Sequence, residues 1–186
     1  PRFSGIANGI DNRLWDPGND QLIDTVYGTS SLHRKVFNKL ALQEAFFHAR
    51  NSERLVLGVV SRLTPQKGFD LLLEALPLIM QMPVDILLLG SGDQKLEKAF
   101  KQAALKYPSR IEVKLGYDEK IAHLVIAGAD ALLIPSRYEP CGLTQMYAQR
   151  YGTIPVAQGV GGLADTIIDI PPFSEDIADA TGELFW

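Results

Sequence analysis

The sequence predicts an α/β fold: a Rossmann-like, doubly wound parallel sheet with helices on both faces. The first observation is that residues 54–60 and 84–89 form β-rich runs dominated by Val, Ile and Leu, which are typical of strands buried on both faces. The second is that a stretch with helical periodicity follows each run, so that strand and helix alternate along the chain. Right-handed crossovers then give a parallel sheet, whose ligands bind at the carboxyl ends of the strands.

Residues 1–34 are rich in Gly, Asn, Asp and Ser and have no sustained period, which predicts an irregular interdomain segment leading into the domain. Residues 35–186 are expected to form that domain, truncated at its C-terminal end, beginning with an amphipathic helix over residues 35–50. An acidic segment with two prolines, residues 168–180, predicts an exposed loop before a final strand. The remaining pattern predicts strands at residues 54–60, 84–89, 111–115, 131–134 and 154–157, and helices at residues 68–82, 94–106, 118–127, 142–151 and 163–168.

The composition is that of an ordinary globular domain. Of 186 residues, 46% are hydrophobic and 22% are charged, which supplies a core and excludes global disorder. The 18 basic and 22 acidic residues give a net charge of −4, which disfavours nucleic acid as a partner. The apolar runs are far shorter than the ~20 residues of a membrane helix, so no membrane partner is expected. Because the first methionine is Met80, we expect the chain to be a fragment.

Cysteine and histidine usage argues against a disulfide framework and against a metal site. Cys141 is the single cysteine, so no intramolecular disulfide can form and a reducing compartment is expected. His33, His48 and His123 lack the spacing of metal ligands, so no metal site is predicted.

The loop after the first strand carries two cations, Arg62 and Lys67, close to the start of the next helix. Backbone N–H groups, the positive end of the helix and two side-chain charges together suit a pyrophosphate. The alternative is that both residues are ordinary solvated loop charges, and spacing alone leaves the two interpretations open.

Glycines follow two of the other strands. Gly90 and Gly92 allow close approach of a ligand, but the third glycine of a dinucleotide fingerprint is missing, so a tight strand-to-helix turn is the preferred explanation. Gly161 and Gly162 begin a helix in a geometry open to phosphate. Tyr117, at the end of the third strand, either stacks on a base or caps the core.

The loop of residues 135–146 carries the strongest signal. Glu139 precedes the predicted helix start, so its carboxylate can accept from sugar hydroxyls while the N–H groups of Cys141, Gly142 and Leu143 donate. The alternative is that Glu139 only complements the helix dipole. A small buried or semi-buried thiol is preferred to a nucleophile for Cys141, because no histidine is nearby in sequence. Without an acid–base pair or a triad, the pattern indicates the donor-binding half of an enzyme.

Five motifs occur along the chain in a characteristic order: Asn8–Asp11, Ser61–Asp70, Gly90–Asp93, Pro135–Gln145 and Gly161–Asp165. Taken together, they strongly resemble those of the glycogen and starch synthases that use ADP-glucose. The resemblance implies the two-domain GT-B fold, with this chain as the C-terminal, nucleotide-sugar-binding half.

The resemblance also implies roles for individual residues. Arg62 and Lys67 would hold the donor diphosphate and stabilise the leaving ADP without a divalent metal or any other cofactor. Tyr117 would stack on the adenine. Glu139 and the backbone of residues 141–143 would face the glucose.

Four positions refine or weaken this comparison. Thr144 would lie toward the diphosphate and the ribose. Related retaining transferases carry a second glutamate eight positions after the first; here that position is Tyr147, which is also the pattern of the glucan synthases. Val160 replaces an expected threonine and Gln158 a basic residue of some relatives, which puts phosphate contacts at Gly161 in doubt.

The implied reaction is retaining transfer of glucose from ADP-glucose to the non-reducing end of an α-1,4-glucan. The partners would be ADP-glucose, the glucan and an N-terminal domain, without which the chain is expected to be inactive. A bacterial cytoplasm is the expected location, with a plastid stroma as the alternative. Two other functions stay open: an NAD-dependent oxidoreductase domain, and a non-catalytic module of the same fold that binds glucan or nucleotide. Preference for ADP-glucose over UDP-glucose is not settled by sequence.

Overall fold

The computed structural model describes residues 4–170 and 179–185. Within these residues six parallel strands form one sheet in the order β3-β2-β1-β4-β5-β6, which is the doubly wound arrangement that the alternating pattern predicts. The strands are β1 (Leu55–Val60), β2 (Val84–Gly90), β3 (Ile111–Leu115), β4 (Ala131–Ile134), β5 (Ile154–Gln158) and β6 (Glu183–Phe185).

Helices connect the strands as the sequence predicts, and short 3-10 helices lie at Thr29–Arg34 and Pro65–Lys67. Asp93 and Asp118 cap the third and fourth α-helices, since each carboxylate accepts from backbone N–H groups of the first turn. The helices are α1 (Lys35–Phe47), α2 (Phe69–Ile79), α3 (Gln94–Lys106), α4 (Glu119–Gly128), α5 (Thr144–Arg150) and α6 (Gly161–Thr166).

The two faces of the sheet have separate cores, because successive side chains of a strand point to opposite faces. On β2, Ile86 and Leu88 pack with α2 and α3, whereas Leu87 packs on the other side with residues of α1 and α4. All seven residues of β2 are buried. Burial on both faces explains why β2 is rich in Val, Ile and Leu, and its one charged residue, Asp85, pairs with Arg54 and Arg110.

Several predicted boundaries shift for local reasons. The helix predicted over residues 35–50 ends at Phe47, because His48 takes a left-handed conformation with φ 53°. The helix predicted from residue 142 begins at Thr144, since Gly142 lies in the left-handed region at φ 74°. Of the predicted exposed loop at 168–180, residues 171–178 lie outside the described residues.

Residues 4–28 contain neither an α-helix nor a strand, as the sequence predicts, yet part of this segment packs into the domain. Trp15 and Tyr27 are buried in the core shared by α4 and α5. Arg150 holds the segment from outside, with Nη2 donating to Asp16 Oδ1 at 2.8 Å. A domain boundary at residue 34 stays a prediction. No helix among the described residues has the length and apolar character needed to cross a membrane.

Candidate active site

Two adjoining cavities open at the carboxyl edge of the sheet, where the parallel topology gathers the loops after the strands. The larger cavity has a volume of about 350 Å³ and the smaller one of about 60 Å³. Val60, Ser61, Leu143 and Thr144 line both cavities, so the two share a wall. Their position and joint shape suit an elongated ligand with two chemically different ends.

The larger cavity combines an apolar floor with polar groups at its rim. Arg62 after β1, Gly90 at the end of β2 and Tyr117 after β3 contribute to the lining, as do Trp15 and Tyr147. The Tyr117 side chain is 80% exposed, so one face of its ring is free to stack. The loops after β1, β2 and β3, which the sequence analysis singled out one by one, therefore line the same cavity.

The smaller cavity is lined by an ion pair between the Lys67 Nζ and Glu139 Oε2 atoms. The Ser136 hydroxyl also donates to Glu139 Oε2, at 3.2 Å. The Lys67 and Glu139 side chains are 18% and 11% exposed, so each charge depends on the other for stabilisation. Sequence reasoning assigned Lys67 and Glu139 to opposite ends of a ligand and did not anticipate their pairing.

A clamp outside the cavity joins the loops that carry Lys67 and Glu139. The Arg137 guanidinium donates to both carboxylate oxygens of Asp70, at 2.6 and 2.7 Å, and this hydrogen bonding lowers the pKa of Asp70. The Arg137 backbone N–H donates to the Gln66 carbonyl at 2.9 Å. These contacts fix the distance between the two loops.

The predicted glycines lie where two backbone segments touch. A Cβ atom at Gly90 would collide with the Ser61 carbonyl, and one at Gly92 with the Leu63 carbonyl. In the same way Gly161 and Gly162 lie against the backbone of residues 139–141. Of these four glycines only Gly90 lines either of the two cavities, and close packing of the backbone accounts for a glycine at the other three positions. Donor contacts at Gly92, Gly161 and Gly162 stay predictions.

The remaining predicted site residues also divide into those that line one of the two cavities and one that does not. Gly142 lines the smaller cavity, and Leu143 and Thr144 line both cavities. Cys141 lines neither cavity, and its thiol is free and half-buried. The backbone carbonyl of Cys141 accepts a hydrogen bond from the Gln145 side-chain amide at 3.0 Å. The role of the Cys141 side chain stays a prediction.

Two aromatic residues of the larger cavity, Trp15 and Tyr147, were missed as site residues. The Trp15 ring stacks on Tyr147 with the centroids 3.9 Å apart and the planes at 16°. Burial raises the pKa of the Tyr147 hydroxyl, and the nearby Tyr117 hydroxyl raises it further. Trp15 lies in an irregular segment whose sequence pattern gives no register, so only the fold reveals its position.

No cluster of His, Cys, Asp and Glu side chains able to hold a metal ion occurs within residues 4–170 and 179–185. The charges at the cavities are instead those of Arg62 and the Lys67–Glu139 pair. Metal-independent chemistry stays a prediction from the sequence.

Comparison with known proteins identifies the family to which the chain belongs. The model described as "Glycosyl transferases group 1" matches residues 42–170, which include every cavity loop from β1 to β5. The chain belongs to this glycosyl transferase family.

Similarity within the group 1 glycosyl transferases is high to glycogen synthases. The chain is 50% identical over 183 residues to "Glycogen synthase" of Rhodopseudomonas palustris (strain BisA53), covering 98% of this chain and 37% of that protein. It is 47% identical over 183 residues to "Glycogen synthase 1" of Methylococcus capsulatus, again covering 98% of this chain and 37% of that protein. The chain therefore spans little more than a third of the length of these relatives.

A solved structure supports the same family comparison. The catalytic domain of starch synthase IV from Arabidopsis thaliana, bound to ADP and acarbose, superimposes with a TM-score of 0.87 at 34% identity, over 96% of this chain and 37% of that chain. The resemblance to glycogen and starch synthases is confirmed, and so is the Rossmann-like fold matching the C-terminal domain of GT-B glycosyltransferases.

Proposed function

We propose that the chain is the nucleotide-sugar-binding domain of a retaining glucosyltransferase that takes glucose from ADP-glucose and adds it to the non-reducing end of an α-1,4-glucan. The observation that carries this proposal is the pairing of Lys67 with Glu139 at a small cavity that shares a wall with the Arg62 cavity. A diphosphate near the shared wall would meet a cation on either side. A sugar in the smaller cavity would meet a carboxylate.

Arg62 and Lys67 act electrostatically in this proposal. Cleavage of the bond between glucose and the donor diphosphate leaves negative charge on ADP, and positioned cations stabilise that charge as it develops. They would take the place of a divalent metal. Glu139 already accepts from Lys67 and Ser136, which holds its second oxygen in position to accept from a glucose hydroxyl.

The larger cavity would hold the nucleoside. The exposed face of Tyr117 suits stacking on a purine, and the apolar floor suits a flat base. The starch synthase of similar fold binds ADP, which supports ADP-glucose over UDP-glucose for this chain. Gly90, Leu143 and Thr144 would lie along the ribose and the diphosphate.

Transfer to a glucan would need residues that this chain does not supply. The chain covers 37% of the similar glycogen synthase of R. palustris, so the acceptor groove and a second, N-terminal domain would complete the enzyme. The isolated chain is then expected to bind the donor without turnover. The bacterial relatives favour a cytoplasmic location for the enzyme.

Calorimetric titration of the chain tests the proposal with ADP, ADP-glucose, UDP and NAD. We expect ADP and ADP-glucose to bind more tightly than UDP and NAD. Glu139→Gln should weaken the binding of ADP-glucose more than the binding of ADP, because only ADP-glucose places a sugar in the smaller cavity. Lys101→Ala, on the exposed face of α3, is the matched surface control and should change neither affinity.

Two outcomes would contradict the proposal. Tighter binding of NAD than of ADP would favour an oxidoreductase domain. A folded chain that binds α-1,4-glucan oligosaccharides but neither ADP nor ADP-glucose would favour a non-catalytic glucan-binding module.

A further inference from the structure

Three aromatic rings form a continuous stack from the larger cavity into the core. Trp15 is the central ring, with Tyr147 on one face and His123 on the other at a centroid distance of 3.9 Å and an interplanar angle of 11°. Trp15 and Tyr147 line the cavity, whereas His123 is fully buried. The stack therefore connects the wall of the cavity to a fixed point inside the domain.

That fixed point is the Asp20 carboxylate. Its Oδ2 atom accepts from His123 Nδ1 at 2.7 Å and from the Tyr151 hydroxyl at 2.6 Å. His123 Nε2 is buried and has no hydrogen-bond partner within residues 4–170 and 179–185. An unprotonated Nε2 avoids leaving a buried donor unsatisfied, so the neutral Nδ1–H tautomer fits the site, with the ring orientation set by Asp20.

The arrangement has the chemistry of a general base held by a carboxylate, but its burial excludes that role. His123 and Asp20 are 0% and 6% exposed, and His123 does not line the larger cavity. A group that cannot reach the ligand can act on it only through its neighbours. The neighbour that reaches the cavity is Trp15.

We propose that Trp15 is a donor-binding residue, and that Asp20 and His123 are positioning residues that hold its ring in the cavity wall. The proposal rests on the proposed function, because the ligand is the nucleotide part of the donor. The segment around Trp15 is then part of the nucleotide site, and the stack fixes Tyr147 as well as Trp15. Because Tyr147 and His123 cover both faces of the Trp15 ring, the ring edge that lines the cavity would meet the base and limit how deeply it enters.

The first arm of the test uses tryptophan fluorescence. Trp15 and Trp186 are the two tryptophans of the chain, so Trp186→Phe leaves Trp15 as the sole emitter. Titration with ADP should change the Trp15 emission saturably, with a midpoint equal to the Kd from calorimetry. ADP binding detected by calorimetry with an unchanged Trp15 emission would overturn this inference and leave the proposed function standing. Absence of ADP binding would overturn both.

The second arm separates positioning from simple stability. Asp20→Asn weakens the contact that orients His123, whereas Tyr27→Phe removes a different buried hydrogen bond, from the Tyr27 hydroxyl to the Tyr151 carbonyl at 2.8 Å. Both variants should lower Tm. Only Asp20→Asn should raise the Kd for ADP, by roughly fivefold, because it loosens a wall of the binding site.

Equal Kd changes in Asp20→Asn and Tyr27→Phe, or none in either, would overturn the positioning role. Should Asp20→Asn abolish cooperative melting, the fluorescence arm decides alone: a saturable response of Trp15 supports the inference and a silent Trp15 overturns it.

Discussion

The two edges of the sheet each carry a lysine–carboxylate pair of low exposure, but the pairs lie in different surroundings. At the amino edge, Lys39 Nζ lies 2.8 Å from Asp130 Oδ2, with side chains 8% and 32% exposed. At the carboxyl edge, Lys67 pairs with Glu139 beside a cavity. Residue chemistry alone does not distinguish the two pairs.

Their other partners do distinguish them. Lys39 Nζ also donates to the Ser52 carbonyl at 2.7 Å, and Asp130 Oδ2 accepts from the Val56 backbone N–H at 2.7 Å. The amino-edge pair thus satisfies backbone groups where strand β1 begins, and it lines neither cavity. The carboxyl-edge pair borders the open space that a ligand would occupy. We therefore expect the first pair to contribute to stability, and the proposed function gives the second pair a role in binding.

The largest expected effect comes from breaking the amino-edge pair. Asp130→Ala leaves the Lys39 charge and the Val56 N–H without their partner, and should lower the free energy of unfolding by about 3 kcal/mol. Urea denaturation measures this loss, and ADP affinity should stay unchanged in the folded fraction. Asp130→Asn keeps a hydrogen-bond acceptor at this position. It is the control, and it should lower the free energy of unfolding by less than Asp130→Ala does. A loss in Asp130→Ala no larger than in Asp130→Asn would contradict the assignment.

The next effect is a pH dependence of stability at the same edge. The Lys35 ammonium group donates to the Ala127 carbonyl at 2.6 Å and to Thr153 Oγ1 at 2.7 Å, and burial lowers its pKa from 10.5 to about 7. Between these values the unfolded chain binds more protons than the folded one, so stability rises with pH. From pH 7 to 9 the expected gain in the free energy of unfolding is about 2 kcal/mol.

Urea denaturation at pH 7, 8 and 9 measures this gain, and Lys35→Met should flatten the pH profile. The predicted rise in stability is limited to pH values up to 9, because burial raises the pKa values of the Tyr27 and Tyr151 hydroxyls. Those two groups reverse the slope once tyrosines ionise in the unfolded chain. A Lys35→Met profile as steep as that of the original chain would show that another group titrates.

At the carboxyl edge the expected effect is on affinity. Lys67→Ala should raise the Kd for ADP by about tenfold or more, since it removes a partly buried cation beside the proposed diphosphate position. Calorimetry measures the change, and Lys101→Ala serves as a charge-matched control on α3. Unchanged affinity in Lys67→Ala would remove this lysine from the site.

The smallest expected effect concerns the clamp. Arg137→Ala frees the loop of Glu139 from Asp70, but the clamp is solvent-exposed, so ADP affinity should fall only about twofold. Arg50→Ala removes another exposed arginine, paired with Glu44 at 3.4 Å, and should have no effect on ADP affinity. A fall as large as that of Lys67→Ala would mean that the clamp itself contacts ligand.

The parallel sheet could be predicted because its determinants are local. The runs of Val, Ile and Leu in β1 and β2, and the helical periodicity that follows each of them, lie within short stretches of sequence. The loops that bear Arg62 and Glu139 follow from the same reasoning, since the topology collects the strand ends.

The rest depends on contacts between distant residues. Lys67 and Glu139 are 72 positions apart, and Asp20 lies 103 positions from His123. No periodicity encodes such pairs. Trp15 was hidden for the same reason, because an irregular segment has no repeating face that would indicate which side chain enters the core. Gly162 packs against the Cys141 backbone, which the sequence pattern also did not reveal, and its donor contact stays a prediction.

One measurement tests the division between the two edges most directly, because two arginines flank the same strand. Arg54 precedes β1 and pairs with the buried Asp85 at 3.2 Å, whereas Arg62 follows β1 at the larger cavity. Arg54→Ala and Arg62→Ala are to be compared by ADP calorimetry and by urea denaturation.

Arg62→Ala should raise the Kd for ADP about tenfold at unchanged stability. Arg54→Ala should lower the free energy of unfolding by about 2 kcal/mol at unchanged Kd, because the buried Asp85 loses one arginine partner and keeps Arg110. Equal changes of Kd in the two variants, or an unchanged Kd in Arg62→Ala, would contradict a nucleotide-sugar site at the carboxyl edge.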